Sequence, residues 1–276
     1  MIRRDRNHPC VILWSVGNEE WGIEWKARGT DIAAVMTAAA HNSDPSRLTT
    51  YASSSGQFPN YGVDVFGYNY IIQNPVMENY QSYPNPALGT EETTGSGTRG
   101  KYATVPEEGW MTPINRTGVA ADLRYSPDTL NVIERSWKFY STHPQFAGVC
   151  YWTGFDYRGE PNPMTWPARG SQFGLLDYCG FPKDEMFYLK ANWVDEPLVH
   201  ICGPYNGEVW VYSNCDKVQL FADGKSLGTK TVVKDGHLVW KVTDKMKVFT
   251  AKGIKNKKTA AKKAEKPATA KKVSKK

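Results

Sequence analysis

Two short stretches place adjacent glutamates after a small or amide residue: Gly17-Asn18-Glu19-Glu20 and Gly89-Thr90-Glu91-Glu92. A pair of carboxyls drawn from them can divide acid and base work, one holding a proton while the other carries charge. The first stretch follows Val11, Ile12, Leu13, Trp14 and Val16, a near-continuous apolar run. Such a run suits a parallel strand covered on both faces better than a half-exposed antiparallel one. Gly17, Asn18 and Glu19 then fall at the strand's end, and in barrels of alternating strands and helices those ends gather catalytic groups. The same residues in a loop that only turns the chain would carry no chemistry. The second stretch follows Pro84-Asn85-Pro86, which breaks any helix before it. Because strand neighbours point to opposite faces, only one of Glu91 and Glu92 can face a barrel's centre.

The elements that must position these groups alternate. Trp21–Asn42 predicts a helix, with Trp25, Ile32, Val35, Met36 and Ala39 at helical spacing. Arg47–Ser53 and Val63–Tyr70 read as strands, the second ending in Asn69 and Tyr70, and Ser53–Gly62 as the loop between them. A short helix over Ile71–Tyr83 precedes the Glu91 strand. Residues 95–128 lack periodicity and read as a long excursion over the strand ends. A helix from about Asp128 to His143 and a buried strand from Phe146 to Asp156, containing Trp152, complete the alternation. From Glu196 short strands alternate apolar and polar residues, and Asp223-Gly224 marks a hairpin turn, the texture of a small β-sandwich.

Composition excludes several classes. The 276 residues, 40% hydrophobic with ten Trp, are ample for a core. No apolar run reaches the length of a membrane span, and the charged start Met1-Ile2-Arg3-Arg4-Asp5-Arg6 is no secretory signal. Five cysteines with no close pair indicate neither a zinc site nor a disulfide framework. The net charge of +6 comes from the end: eleven Lys against Glu265 after residue 251 leave about −4 for the rest. That Lys/Ala/Thr-rich tail from residue 253 is expected to be disordered, and nucleic acid could be bound only through it.

The stretch R-D-R-N-H-P-C-V-I-L-W-S-V-G-N-E strongly resembles the acid/base segment of glycoside hydrolase family 2, which holds β-galactosidases, β-glucuronidases and β-mannosidases. The resemblance implies a TIM barrel with Glu19 as general acid/base at the end of the fourth strand and Asn18 on the sugar's 2-hydroxyl. A-L-G-T-E-E-T-T-G is similar to the family's nucleophile segment at the end of the seventh strand, with Glu91 as the matching position. The family order favours Glu19 over Glu20; Glu92 stays the alternative to Glu91. The resemblance also implies that Trp152 floors the sugar site, that Asn69, Tyr70 and Trp166 (with Arg169) border it, and that the C-terminal sandwich is immunoglobulin-like.

The expected fold is therefore α/β, with part of a TIM barrel (strands four to eight) over residues 1–195, the sandwich over 196–252 and the tail over 253–276. With the fourth-strand motif at residue 11, the expectation is the C-terminal part of a family 2 enzyme, able to pair with missing N-terminal domains or with a second copy. The implied reaction is retaining hydrolysis of a carbohydrate, β-galactoside before β-glucuronide or β-mannoside, using carboxyls about 5–5.5 Å apart. At that separation one proton is retained, which the resemblance places on Glu19. No cofactor is required, although some members bind Mg²⁺. The other readings are a carbohydrate-binding remnant without turnover and a polyanion binder acting through the tail.

Overall fold

The structure, a computed structural model, describes residues 1–54, 57–72, 86–102, 105–110, 132–161, 166–205 and 207–255. The chain divides into two compact units, one comprising Met1–Thr94, Ala121–Thr129 and Lys138–Thr153 and the other the remainder. Residues 154–195 fall in the second unit, with the strands that follow them.

The first unit opens with one helical turn, α1 (Ile2–Asp5), and is built on five parallel strands in chain order: β1 (Trp14–Asn18), β2 (Thr49–Ser53), β3 (Val65–Asn69), β4 (Ala87–Glu92) and β5 (Phe146–Tyr151). Parallel neighbours in sequence order need a crossover after each strand, which is the alternation expected of part of a barrel. Every residue of β2 and β3 is buried. The outer strands differ from expectation. β1 begins only at Trp14, leaving Ile12 83% exposed, and Cys150 of β5 is exposed. Among the described residues each has a strand neighbour on one side alone, so their apolar runs are not covered as a central strand's would be.

The helix predicted over Trp21–Asn42 is two helices, α2 (Trp21–Glu24) and α3 (Arg28–Ser43), broken between them. Its packing face is also reversed. Gly29, Ala33 and Ala40 are buried, whereas Val35 is 70% exposed and Trp25, Ile32 and Met36 are exposed too. Close approach is the cause. A Cβ on Gly29 would lie 2.3 Å from the Ile23 carbonyl oxygen, and one on Gly62, in the 3₁₀ turn Phe58–Gly62, would lie 2.4 Å from that of Thr30. Only small residues fit there, and the larger apolar ones turn outward.

The start of β1 is held by a polar cluster. Buried Asp44 accepts hydrogen bonds from Trp14 Nε1 (2.9 Å), Arg47 (2.7 Å) and Ser46, which hold its carboxyl well below the usual range. Arg47 also donates to the carbonyl oxygens of Val11 and His8. The expected helix over 71–83 and the excursion expected over 95–128 lie largely outside the described residues, apart from 95–102 and 105–110 of the latter. α4 (Val132–Thr142) matches the helix predicted from about Asp128 to His143 where described, and its Phe139 and Tyr140 rings meet Phe146 edge-on.

The second unit contains the ribbon β6 (Tyr157–Arg158) with β7 (Gly170–Ser171), the helix α5 (Asp184–Trp193), and six antiparallel strands. These are β8 (Val199–Tyr205), β9 (Glu208–Ser213), β10 (Lys217–Ala222), β11 (Lys225–Thr231), β12 (Leu238–Lys241) and β13 (Phe249–Ile254). They form two three-stranded sheets, β11-β10-β13 and β12-β9-β8, around Val209, Val211, Val218, Leu220, Leu238 and Trp240. The Asp223-Gly224 turn is as predicted, with φ of 49° and 79°, the pair of positive values a two-residue hairpin needs. β13 carries the sandwich past the predicted end at residue 252; the Lys-rich tail from residue 256 lies outside the described residues. No described helix is long and apolar enough to cross a membrane.

A buried ion pair holds residues 156–183 together. Lys183 Nζ, in a side chain 2% exposed, donates to Asp156 Oδ1 at 2.6 Å and to the Gln172 carbonyl oxygen at 2.8 Å, and Asp156 also accepts from Gly174 N. Burial raises the Asp156 pKa and lowers that of Lys183, and each partner's charge opposes the other's shift. Removing one member leaves an uncompensated buried charge. Lys183→Met is expected to lose about 3–5 kcal/mol in guanidinium unfolding, and adding Asp156→Leu to recover much of it.

Candidate active site

Five strands running the same way bring their C-terminal ends to one edge, and the candidate residues of the first unit lie on it. Asn18 ends β1, Glu19 follows it, Asn69 ends β3 with Tyr70 after it, Glu91 and Glu92 end β4, and Trp152 follows β5. Trp166 belongs to the second unit, where it is 76% exposed and carries the Arg169 guanidinium on its ring.

Two register breaks aim the carboxylates. Between Ser15 and Asn18 β1 advances three residues while β2 advances two, and between Gly89 and Glu91 β4 advances two while β3 advances one. Each is an extra residue in the carboxylate's own strand, the irregularity that re-aims side chains beside active sites. The backbone turns sharply just beyond. Glu19 and Tyr70 have φ of 50° and 55°, a left-handed conformation uncommon outside glycine. Both are held by backbone bonds, Glu19 N to Ala52 O at 3.0 Å and Tyr70 N to Glu91 O at 2.7 Å.

The end of β3 reaches both carboxylates. Asn69 is fully buried, and its Nδ2 donates to Glu19 Oε1 at 2.8 Å and to Asn18 Oδ1 at 3.0 Å. The hydroxyl of Thr90, the extra residue of β4, donates to Asn69 Oδ1 at 2.7 Å and so fixes which way the amide faces. Tyr70 in turn donates its hydroxyl to Glu91 Oε1. Asn69, expected to bind sugar, thus has its amide N–H groups on Glu19 and Asn18 and acts on the acid/base candidate. Asn18 is exposed.

Burial separates the adjacent glutamates. Glu92 is fully buried, and its Oε2 accepts from Tyr140 OH at 2.8 Å and Ile71 N at 3.0 Å. Glu91 faces the edge. A Cβ on Gly89 would lie 2.5 Å from the Tyr140 hydroxyl, so glycine there lets Tyr140 cross β4 to reach Glu92. Glu20 is exposed and only its backbone is engaged: its N–H donates to Tyr51 OH at 2.9 Å, and its carbonyl oxygen accepts from Ile23 N and Glu24 N. Tyr51, whose hydroxyl burial pushes up to about 12, also packs its ring where a Cβ on Gly17 would sit, 2.4 Å away. Beyond it, buried Glu24 accepts from Ser54 N and Oγ, tying α2 to the end of β2. Tyr51, Thr90, Tyr140 and Glu24 are supports that motif reading missed, because each acts through a partner distant in sequence or through an unpredictable bulge.

Burial raises the Glu91 carboxyl above its ordinary value, the Tyr70 hydrogen bond pulls it back, and the charge of Glu19 pushes it up again. The charge of Glu19 thus reaches Glu91. One group can hold a proton beside another that carries charge, the division that acid/base and nucleophilic chemistry require. Tyr70→Phe removes the bond that favours ionised Glu91, so its titration midpoint, followed by carboxyl ¹³C NMR, is expected to move to higher pH.

Comparison with known proteins agrees with the partial barrel. Residues 1–170 match the family described as "Glycosyl hydrolases family 2, TIM barrel domain", and residues 206–261 match a domain of unknown function, DUF4982. The chain is 32% identical to the β-galactosidase BoGH2A of Bacteroides ovatus, across 87% of this chain and 34% of that protein. It is 28% identical to a putative β-glucuronidase of Formosa agariphila, across 82% and 24%. Among solved structures, a β-glycosidase from Bacteroides vulgatus superposes with a TM-score of 0.70 at 29% identity, over 98% of this chain and 38% of that one. The chain thus spans about a third or less of the length of these curated relatives.

Proposed function

The chain belongs to glycoside hydrolase family 2, and on that premise we propose that it carries the catalytic carboxylates of a retaining β-glycosidase, with Glu91 as nucleophile and Glu19 as acid/base. The observation that carries this reading is the strand end Asn69-Tyr70, hydrogen-bonded through one residue to Glu19 and through the next to Glu91. In the first step Glu91 attacks the anomeric carbon while Glu19 gives its proton to the departing oxygen, leaving a covalent glycosyl-enzyme. In the second, Glu19 takes a proton from water, whose oxygen displaces Glu91 and regenerates both groups. Tyr70 favours the anionic form of Glu91 that attack needs. Asn18, at the mouth beside Glu19, takes the sugar's 2-hydroxyl, and Trp152, 38% exposed, offers a ring face to the sugar.

A β-galactoside is the substrate we favour, supported by the name of the 32% identical relative; β-glucuronidases among the relatives make a β-glucuronide the next candidate. Mg²⁺ takes oxygen ligands in octahedral order. The metal-capable group among the described residues, Asp184, His200 and Cys202, offers nitrogen and sulfur, and both Asp184 oxygens are bonded, to Tyr102 OH at 2.5 Å and His200 Nε2 at 2.6 Å. These residues do not fit the ion.

Incubation of the chain with 2-deoxy-2-fluoro-β-galactosyl fluoride tests the assignment by intact mass. The expected result is one glycosyl adduct, absent in Glu91→Gln and present in Glu92→Gln. An adduct that persists in Glu91→Gln overturns the nucleophile; no adduct with galactosyl, glucuronyl or mannosyl reagents overturns catalysis by this chain.

A further inference from the structure

A second site lies wholly within the second unit. An open cleft of about 350 Å³ is lined by Glu107, Glu108, Arg158, Arg169, Gln172 and Tyr178 among others. Its charged groups are unpaired: among the described residues none of the two arginines and two glutamates takes part in an ion pair or side-chain hydrogen bond. Each guanidinium is instead laid over an aromatic ring, Arg158 at 5.4 Å from the Tyr178 centroid and Arg169 at 5.1 Å from that of Trp166. Stacking of this kind orients the planar fork and leaves its N–H edge available.

The rest of the cleft is also set in place. Glu107 and Glu108 form the tip of a loop closed by the Val105–Trp110 bridge, and Lys101 sits over the Trp110 ring. Gln172 donates Nε2 to Gly109 O at 3.3 Å, and its backbone oxygen is held by Lys183. Its Oε1 is buried and accepts no hydrogen bond. That atom faces the interior, so the groups open to the cleft are the two guanidiniums and the two carboxylates.

We propose that this cleft binds a sugar bearing a carboxylate. The forked guanidiniums match a carboxylate's two oxygens. Glu107 and Glu108 are acceptors, and sugar hydroxyls are the donors they lack. A bare anion meets two carboxylates it cannot satisfy, and a neutral sugar leaves both arginines unanswered, so the combination selects a sugar acid over either. The ligand class rests on the reading of the chain as carbohydrate-active, but the site shares no residue with the Glu19–Glu91 pair.

The test is binding of D-glucuronate to the full chain by ligand-observed NMR, beside methyl β-D-glucopyranoside and inorganic sulfate. Glucuronate is expected to bind about tenfold more tightly than either, as charge-assisted bidentate bonds imply. Arg158→Gln with Arg169→Gln should bring it to the level of the neutral sugar, and Arg169→Lys, which keeps charge without the fork, should fall between. Both arginines are exposed, so these variants are expected to fold. Glu91→Gln should leave glucuronate binding unchanged. Equal binding of acid and neutral sugar, sulfate competing as well as glucuronate, or no glucuronate binding would overturn the proposal. So would loss in Glu91→Gln with no change in the arginine variants, which would put the acid at the carboxylate pair. Since no turnover is read, failure of the chain to hydrolyse a glycoside leaves this test intact.

Discussion

The site depends on the side chain of one buried asparagine. Asn69 is fully enclosed, receives the Thr90 hydroxyl on its oxygen and gives its N–H groups to Glu19 and Asn18. These bonds join β1, β3 and β4 at one height, which backbone pairing alone does not do because β1 and β3 are not neighbours in the sheet. With Tyr70 next along the chain on Glu91, a two-residue strand end governs both carboxylates. A buried amide with every group engaged is rigid, and that rigidity holds Glu19, whose own backbone sits in an uncommon conformation.

Around this linkage the sheet sorts identical residues into different environments. Glu91 and Glu92 have the same chemistry, yet one meets a tyrosine at the open edge and the other is sealed beneath Tyr140. The strand's alternation separates the two, and the extra residue at Thr90 decides which faces outward. Partial burial gives Glu91 a raised pKa, while the Tyr70 bond limits the rise. The result is a carboxylate near others that is still able to ionise.

The strand ends that carry Glu19 and Glu91 were legible because glycine and small polar residues after apolar runs mark where parallel strands stop, and because the surrounding motifs are specific. The five strands and the Asp223-Gly224 hairpin were legible for similar local reasons. The face of α3 was not: spacing picks out Ile32, Val35 and Met36, but backbone approach at Gly29 and Gly62 admits only the alanine side. Nor were the supports of the site. Tyr51 acts across 31 residues and Tyr140 across 48, and the two bulges exist only in the register between strands. The association of residues 154–195 with the sandwich rests likewise on tertiary bonds, His200 Nε2 with Asp184 Oδ1 and Tyr188 OH on Asp235 O among them.

The contact between Gly17 and Tyr51 ties two positions into one unit of inheritance. A methyl group at 17 meets the ring, while a smaller residue at 51 that makes room for it removes the hydroxyl holding the Glu20 N–H. Neither position can drift alone without a cost at the segment that presents Glu19, and no single further change restores both space and hydrogen bond. Lineages descended from this chain are therefore expected to keep the glycine and tyrosine together, or to replace both along with the means of anchoring the turn.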